Sequence, residues 1–90
     1  MRIVVRMQRA EGDLERLIGV FRRRGWQVTA LEARTMRDSS TMTVHASLEG
    51  DRSPEVLARQ VERLVEVESV HLDDSEPQVT RLASVRAKEV

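Results

Sequence analysis

The spacing of hydrophobic residues changes from that of a strand to that of a helix near the start of the chain. Ile3, Val5 and Met7 alternate with polar or edge-tolerant residues, which predicts a β-strand over residues 3–8. Apolar residues then recur at helical spacing, and these are Leu14, Leu17, Ile18 and Phe21. Gly12 lies where one period replaces the other, and Gly25 is expected to end the helix.

The next two hydrophobic runs predict a β-hairpin. Residues 26–36 are rich in Val, Thr and Ala, and the polar residues 37–40 follow as a turn. Residues 41–49 alternate cleanly, which is typical of a strand with one packed and one polar face. The expected inward positions of that strand are Met42, Val44, Ala46 and Leu48.

A second helix and a fourth strand follow the hairpin. Ser53 is a candidate N-cap, and Pro54 fits the first helical position, where its missing N–H costs nothing. The predicted apolar stripe of this helix consists of Leu57, Val61, Leu64 and Val65. A short strand is predicted over residues 69–72, and residues 78–90 show only weak periodicity.

This order of elements is β-α-β-β-α-β, which predicts an α+β, ferredoxin-like fold. We expect an antiparallel sheet with two helices on one face, the first and third strands in the centre and the others at the edges. Residues 1–75 would form the domain, and residues 76–90 a C-terminal tail or a short extra strand. The predicted core contains Leu17, Phe21, Val44, Val61 and Leu64.

The composition of the chain is that of a folded domain and excludes several other classes of protein. An apolar share of 40% and a charged share of 33% fit a folded domain. No apolar run approaches the roughly 20 residues that cross a bilayer, and arginines interrupt any secretory signal in the N-terminal segment. With no cysteine in the chain, disulfides and thiolate sites are excluded, and a cytoplasmic location is expected.

The formal net charge is zero, but its distribution is uneven. Residues 1–45 hold nine arginines against five acidic residues, and residues 46–90 hold six basic against ten acidic residues. The run from Arg22 to Arg24 is either a basic patch for a partner or, as we favour, a solvated helix end whose cations suit the dipole. Neither a nucleic acid nor a membrane is predicted as a partner.

The chain offers little catalytic chemistry. His45 and His71 both fall on predicted outward strand faces, and with no third ligand beside them we interpret them as surface residues. No Ser–His–acid arrangement is suggested. Phe21 and Trp26 are the only aromatic residues and neither lies on a central strand, so base stacking of the RNA-recognition type is disfavoured. We expect a protein that is not an enzyme and holds no metal or cofactor.

The loop between the first strand and the first helix is the best candidate site. Backbone N–H groups are free at a helix N-terminus, where they favour a negatively charged group. A glycine at position 12 would let a ligand carboxylate approach closely.

The same loop–helix–strand segment resembles an ACT domain, a small amino-acid-sensing module of metabolic enzymes. Within that class, residues 12–36 resemble the regulatory (small) subunit of acetolactate synthase. The similar features are Leu14-Glu15-Arg16 after the loop glycine, a helix with an apolar-apolar-x-apolar-Phe pattern over residues 17–21, and the exit Arg24-Gly25-Trp26. Residues 53–70 resemble the second helix and fourth strand of that family.

The resemblance implies a side-by-side homodimer that binds a branched-chain amino acid at its interface and activates a catalytic subunit. Thiamine diphosphate and other cofactors would belong to that catalytic subunit. The residues that correspond to the ligand site are Arg9, Ala10, Glu11, Gly12, Asp13, Leu14, Gln27 and Val28.

Two substitutions depart from the valine-responsive pattern. Arg9 and Gln27 each stand where such subunits usually carry asparagine. Together with the length of 90 residues, these changes make the chain similar to the short subunit of a valine-resistant isozyme, so we expect weak valine binding. Two alternatives remain open: a stand-alone amino-acid sensor that is a homodimer, and a structural adaptor without a ligand.

Overall fold

The computed structural model describes residues 1–35 and 39–73 of the chain. Its elements are β1 (Arg2–Gln8), α1 (Asp13–Arg23), β2 (Gln27–Thr35), β3 (Thr41–Glu49), α2 (Pro54–Glu62) and β4 (Val67–Asp73). The predicted order of elements is confirmed. The predicted tail or extra strand over residues 76–90, and residues 37 and 38 of the predicted hairpin turn, lie outside the described residues.

The four strands form one antiparallel sheet in the order β2-β3-β1-β4. The prediction that the first and third strands are central is therefore confirmed, and β2 and β4 are the edges. Val5 of β1 lies opposite Val44 on β3 and Val70 on β4, so the hydrophobic faces of the three strands coincide.

Both helices cover the same face of the sheet. Of the predicted core residues, Leu17, Phe21, Val44 and Val61 are fully buried, while Leu64 packs only partly against the core. The buried side chains form one cluster: Ile3, Val5, Met7, Leu17, Val20, Phe21, Trp26, Met42, Val44, Ala46, Leu48, Leu57 and Val61. No buried polar or charged side chain occurs among the described residues.

The end of α1 fixes where β2 begins. Gly25 has φ 89°, and the amide of Trp26 donates to the carbonyl of Phe21 at 2.9 Å while the amide of Gly25 donates to Arg22 at 3.1 Å. These two bonds define a Schellman motif, which needs a left-handed residue after the helix. Trp26 is thereby turned into the core, with 4% of its surface exposed, although its place at a helix exit gave no sign of burial.

The second helix begins as predicted but ends earlier. The Ser53 hydroxyl accepts a hydrogen bond from the Val56 amide at 3.3 Å, and Pro54 is the first helical residue. The helix ends at Glu62, and a turn closed by the Val67 amide and the Leu64 carbonyl leads into β4. The prediction that Val65 belongs to the apolar stripe is wrong: it lies beyond the helix and is 91% exposed.

Candidate ligand-binding site

The β1–α1 loop is held to the rest of the fold at its start. The Arg9 amide donates to the Ser40 carbonyl at 2.8 Å, which extends the β1–β3 ladder, and the Gln8 amide donates to the Glu66 carbonyl at 2.7 Å. Gly12 caps α1 with φ 76°, in the left-handed region, and offers no side chain to the helix. The loop therefore reaches the helix through a backbone conformation that other residues adopt only at a cost.

Asp13 supplies the acceptor that the N-cap lacks. One carboxylate oxygen accepts from the Leu14 amide at 2.6 Å, and the other accepts from the Ala10 amide at 3.0 Å. The amide of Asp13 in turn donates to the Ala10 carbonyl at 3.0 Å. The side chain thus occupies the position at the start of α1 where a ligand carboxylate would otherwise bind.

An ion pair that the sequence did not reveal supports the loop. The Arg16 guanidinium binds the carboxylate of Glu66, whose side chain is only 12% exposed. The same guanidinium would lie 3.0 Å from a Cβ atom placed on Gly12. Because the two charged residues are fifty positions apart, only the tertiary fold shows that the first turn of α1 is tied to the α2–β4 connection.

A shallow, open cleft of about 550 Å³ lies beside this loop. Its lining residues are Arg9, Ala10, Glu11, Asp13, Thr35 and Met42. Four of the eight predicted site residues therefore line one surface depression. Gly12, at the end of the loop, and Leu14, in the first turn of α1, do not line the cleft, and Leu14 packs partly against the core. Thr35 and Met42 were not predicted and join the cleft through the β2–β3 pairing.

Gln27 and Val28 lie elsewhere in the chain. They line a second cleft of about 560 Å³ together with Ile18, Arg22, Gly25 and Trp26. Gln27 begins β2 and Thr35 ends it, so roughly 26 Å of extended strand separates the two clefts at about 3.3 Å per residue. Within one chain, the fold does not bring Gln27 and Val28 together with the β1–α1 loop.

The two histidines do not form a metal site. His45 and His71 both lie opposite Val4, on the strands that flank β1. A whole strand therefore separates them, at roughly 10 Å between Cα atoms. Within residues 1–35 and 39–73, no group of three or more metal-ligating side chains is close enough to hold an ion.

Neither α1 nor α2 is long and apolar enough to cross a bilayer.

The sequence profile of the ACT domain family matches residues 9–70. The match covers more than half of the chain, including the β1–α1 loop, both helices and most of the sheet. The chain therefore belongs to the ACT domain family, whose members are regulatory modules. A comparison with curated protein sequences gives no significant match.

Several solved structures share the fold. The ACT domain of GTP pyrophosphokinase from Chlorobium tepidum is 11% identical with a TM-score of 0.65, and the match covers 78% of this chain and 91% of that domain. The acetolactate synthase small subunit of Thermotoga maritima is 15% identical with a TM-score of 0.69, over 96% of this chain and 66% of that one.

A third similar structure comes from a different kind of protein. Formyltetrahydrofolate deformylase from Burkholderia mallei is 18% identical with a TM-score of 0.66, over 98% of this chain but 37% of the deformylase. At such identities the similarity concerns the fold.

Proposed function

We propose that this protein is a cytoplasmic, non-catalytic regulatory subunit of acetolactate synthase that activates a catalytic subunit in branched-chain amino-acid biosynthesis. The resemblance of the segment from Leu14-Glu15-Arg16 to the Arg24-Gly25-Trp26 exit supports this subfamily. The similarity of its fold to the Thermotoga maritima small subunit is consistent with it. The catalytic subunit would hold thiamine diphosphate and carry out the reaction.

The proposal includes a homodimer formed through β2. This edge strand carries Leu31, Ala33 and Thr35 on the side that faces the helices, and the last two are exposed. Their neighbours on β3 are buried in the same layer, so the apolar layer is open at this edge. A long unpaired edge strand is a template for pairing with another chain.

A twofold axis at β2 would join the two clefts. The β1–α1 loop lies near the end of β2 and Gln27 at its start, so antiparallel pairing of two β2 strands places the loop of one copy beside Gln27 and Val28 of the other. The eight residues that the sequence predicts as a ligand site would then form one composite site at each side of the dimer. A branched-chain amino acid is the candidate ligand.

The position of Asp13 carries the proposal that such a ligand binds weakly. A free amino acid needs donors for its carboxylate and acceptors for its ammonium group. The Asp13 carboxylate already accepts the amides of Ala10 and Leu14. Arg9 has only donors and a fixed charge that repels an ammonium group, whereas the Glu11 carboxylate is a substitute acceptor in the cleft. We therefore expect activation of the catalytic subunit without strong feedback inhibition by valine.

The decisive experiment adds the purified protein to a purified acetolactate synthase catalytic subunit and measures binding and acetolactate formation. A several-fold increase in rate with a stoichiometric complex is expected. A folded dimer that neither binds nor stimulates the catalytic subunit would refute the proposed function.

Calorimetry with valine, leucine and isoleucine tests the ligand separately. Affinity in the micromolar range for any of them would contradict weak binding. Arg9→Asn should strengthen binding, while Arg59→Asn, on the exposed side of α2, is the matched control and should not. If Arg9→Asn has no effect in a folded dimer, the site does not lie in this loop.

A stand-alone sensor is the second candidate function. Arg22 lines the second cleft, which the proposed dimer would place beside the β1–α1 loop of the other copy. Its guanidinium could bind a ligand carboxylate that Asp13 excludes from the helix start. Tight amino-acid binding that Arg22→Gln abolishes, with no effect on any catalytic subunit, would favour this function.

A further inference from the structure

The hydrogen bonds of β3 determine which backbone groups of β2 point away from the sheet. Met1 and Leu48 exchange hydrogen bonds at 2.8 and 3.2 Å, and the Arg9 amide donates to Ser40 at 2.8 Å. The even-numbered residues of β3 and its flanks therefore form their backbone hydrogen bonds with β1. Because alternate residues of a strand bond to opposite neighbours, the odd-numbered residues of β3 bond to β2.

This alternation leaves three residues of β2 with outward N–H and C=O groups. Residues 30, 32 and 34 lie opposite residues 47, 45 and 43 of β3, with which they share hydrogen bonds. Leu31, Ala33 and Thr35 are thus the residues that could bond to another strand. Since the register shifts between Val28 and Ala30, the regular part of the edge is restricted to residues 30–35.

Two side chains of opposite charge lie on the face of residues 30–35 that points away from the helices. Glu32 and Arg34 form an ion pair at 2.9 Å, and their side chains are 58% and 75% exposed. Opposite charges that lie directly opposite each other across antiparallel strands stabilise the pairing and like charges destabilise it, so charges favour some registers over others.

The possible registers for two copies of β2 differ in their charges. A twofold axis at Glu32 would set two carboxylates opposite each other, and an axis at Arg34 would set two guanidinium groups opposite each other. An axis at Leu31 would place Glu32 opposite Ala30, which adds no charged pair between the two copies. An axis at Ala33 alone places each Glu32 opposite Arg34 of the second copy.

We propose that a second copy of this chain pairs with β2 about a twofold axis at Ala33, and that Glu32 and Arg34 specify this register. The inference rests on the dimer in the proposed function and adds the residues that determine self-recognition. Ala33 would bond to Ala33 of the second copy and Leu31 to its Thr35, giving about six backbone hydrogen bonds. The two charged pairs fall at the closer, non-hydrogen-bonded positions, where side chains interact best.

Charge reversal followed by mixing tests the pairing. Glu32→Arg and Arg34→Glu each replace two attractive pairs with two repulsive ones, so the dimer dissociation constant should rise about ten- to a hundred-fold. An equimolar mixture of the two variants should form a heterodimer close to wild-type affinity, because every pair is then opposite in charge. Loss of the ion pair within one chain could not be repaired by mixing, so a mixture that remains dissociated would overturn the proposal.

Cysteine cross-linking tests the register independently, in a chain with no native cysteine. Ala33→Cys should form a dimer cross-linked by a bifunctional thiol reagent that spans only a few ångströms, since the Cα atoms of such a pair are about 5.5 Å apart. Leu31→Cys is the matched control and should not, because its copies would be roughly 13 Å apart along the strand. The reverse result would place the axis at Leu31 and overturn the proposal.

The outcomes separate this inference from the proposed function. Sedimentation of the wild-type protein as a monomer at micromolar concentration would refute both the dimer and its register. A wild-type dimer that is indifferent to both charge reversals would refute the register alone. Neither measurement involves a catalytic subunit or an amino acid. Activation of acetolactate synthase is therefore tested independently, by the assay with the purified catalytic subunit.

Discussion

The two helices of this protein begin in opposite ways. At α2, the Ser53 side chain accepts the Val56 amide, and Pro54 takes the first helical position. At α1, Gly12 has no side chain to offer, and Asp13 turns its carboxylate back onto the amides of Ala10 and Leu14. The start of α2 is stabilised by its own short sequence, whereas α1 begins at a loop that also borders a cleft.

The start of α2 is structural, whereas the start of α1 borders a possible binding surface. The N-cap serine of α2 fills the position beside the first turn and accepts the Val56 amide itself. A glycine N-cap leaves room, and here Asp13 and the Arg16–Glu66 ion pair occupy that room from either side. The loop thus has the shape of a ligand site, while Asp13 already binds two of its backbone amides, those of Ala10 and Leu14.

The largest expected effect on stability comes from removing the Phe21 side chain, which anchors α1 in the core. Phe21 is fully buried and lies in the common core, whereas Val56 on α2 is 42% exposed. Phe21→Ala should lower the free energy of unfolding by about 3–5 kcal/mol, the usual cost of removing a core aromatic. Val56→Ala is the control and should cost less than about 1 kcal/mol in the same denaturant titration. A Phe21→Ala cost below that value would contradict the observed packing of α1.

The glycine N-cap of α1 should be the next most sensitive position. Gly12→Ala forces a side chain into φ 76° and places Cβ 3.0 Å from the Arg16 guanidinium. We expect a loss of about 1–2 kcal/mol in thermal or chemical unfolding. Gly19→Ala, inside α1, meets only the flexible end of Arg23 and should stabilise the helix by up to about 1 kcal/mol. Equal effects at the two glycines would show that the left-handed N-cap is unimportant.

Removing the α2 cap should have a smaller and purely structural effect. Ser53→Ala deletes the acceptor for the Val56 amide and should cost about 1 kcal/mol. Stimulation of a catalytic subunit and amino-acid binding should be unchanged at temperatures well below the unfolding transition. A change in either at full folding would mean that this helix start also takes part in function.

A similarly small effect on stability, and the most informative effect on binding, is expected at Asp13. Asp13→Ala frees the amides of Ala10 and Leu14 and should cost about 1 kcal/mol. It should also increase the affinity for an amino-acid carboxylate, measured by calorimetry with valine. Asp51→Ala, in the exposed loop after β3, is the matched control and should leave both properties unchanged. Unaltered affinity in a folded Asp13→Ala dimer would contradict the view that Asp13 blocks the site.

Local patterns predicted most of the fold but failed where the chain leaves a regular element. The alternation in residues 41–49 predicted β3 with its bounds and its buried face. Val65 continues the helical spacing of Leu57 and Val61, yet a turn begins after Glu62 and leaves it exposed. Spacing alone could not show this, because it does not record where backbone hydrogen bonds change from one pattern to another.

In the candidate site, too, local patterns predicted some of the residues and missed others. The sequence indicated the loop of Arg9–Asp13 because a strand period meets a helix period at a glycine, and four of those residues line one cleft. Thr35 and Met42 reach the cleft only through strand pairing, and Glu66 reaches Arg16 only through the packing of distant segments. Gln27 and Val28, predicted for the same site, lie at the far end of β2.

The sequence by itself determined the order of elements, the inward faces of the strands, the two helix starts and the family of the protein. These depend on residue periodicity and on capping, which are interactions between near neighbours in the chain. The tertiary structure decided which residues share a cleft, how Asp13 and Arg16 close the start of α1, and which backbone groups of β2 face outward. These depend on strand register and on contacts between residues far apart in sequence, for which no local pattern exists.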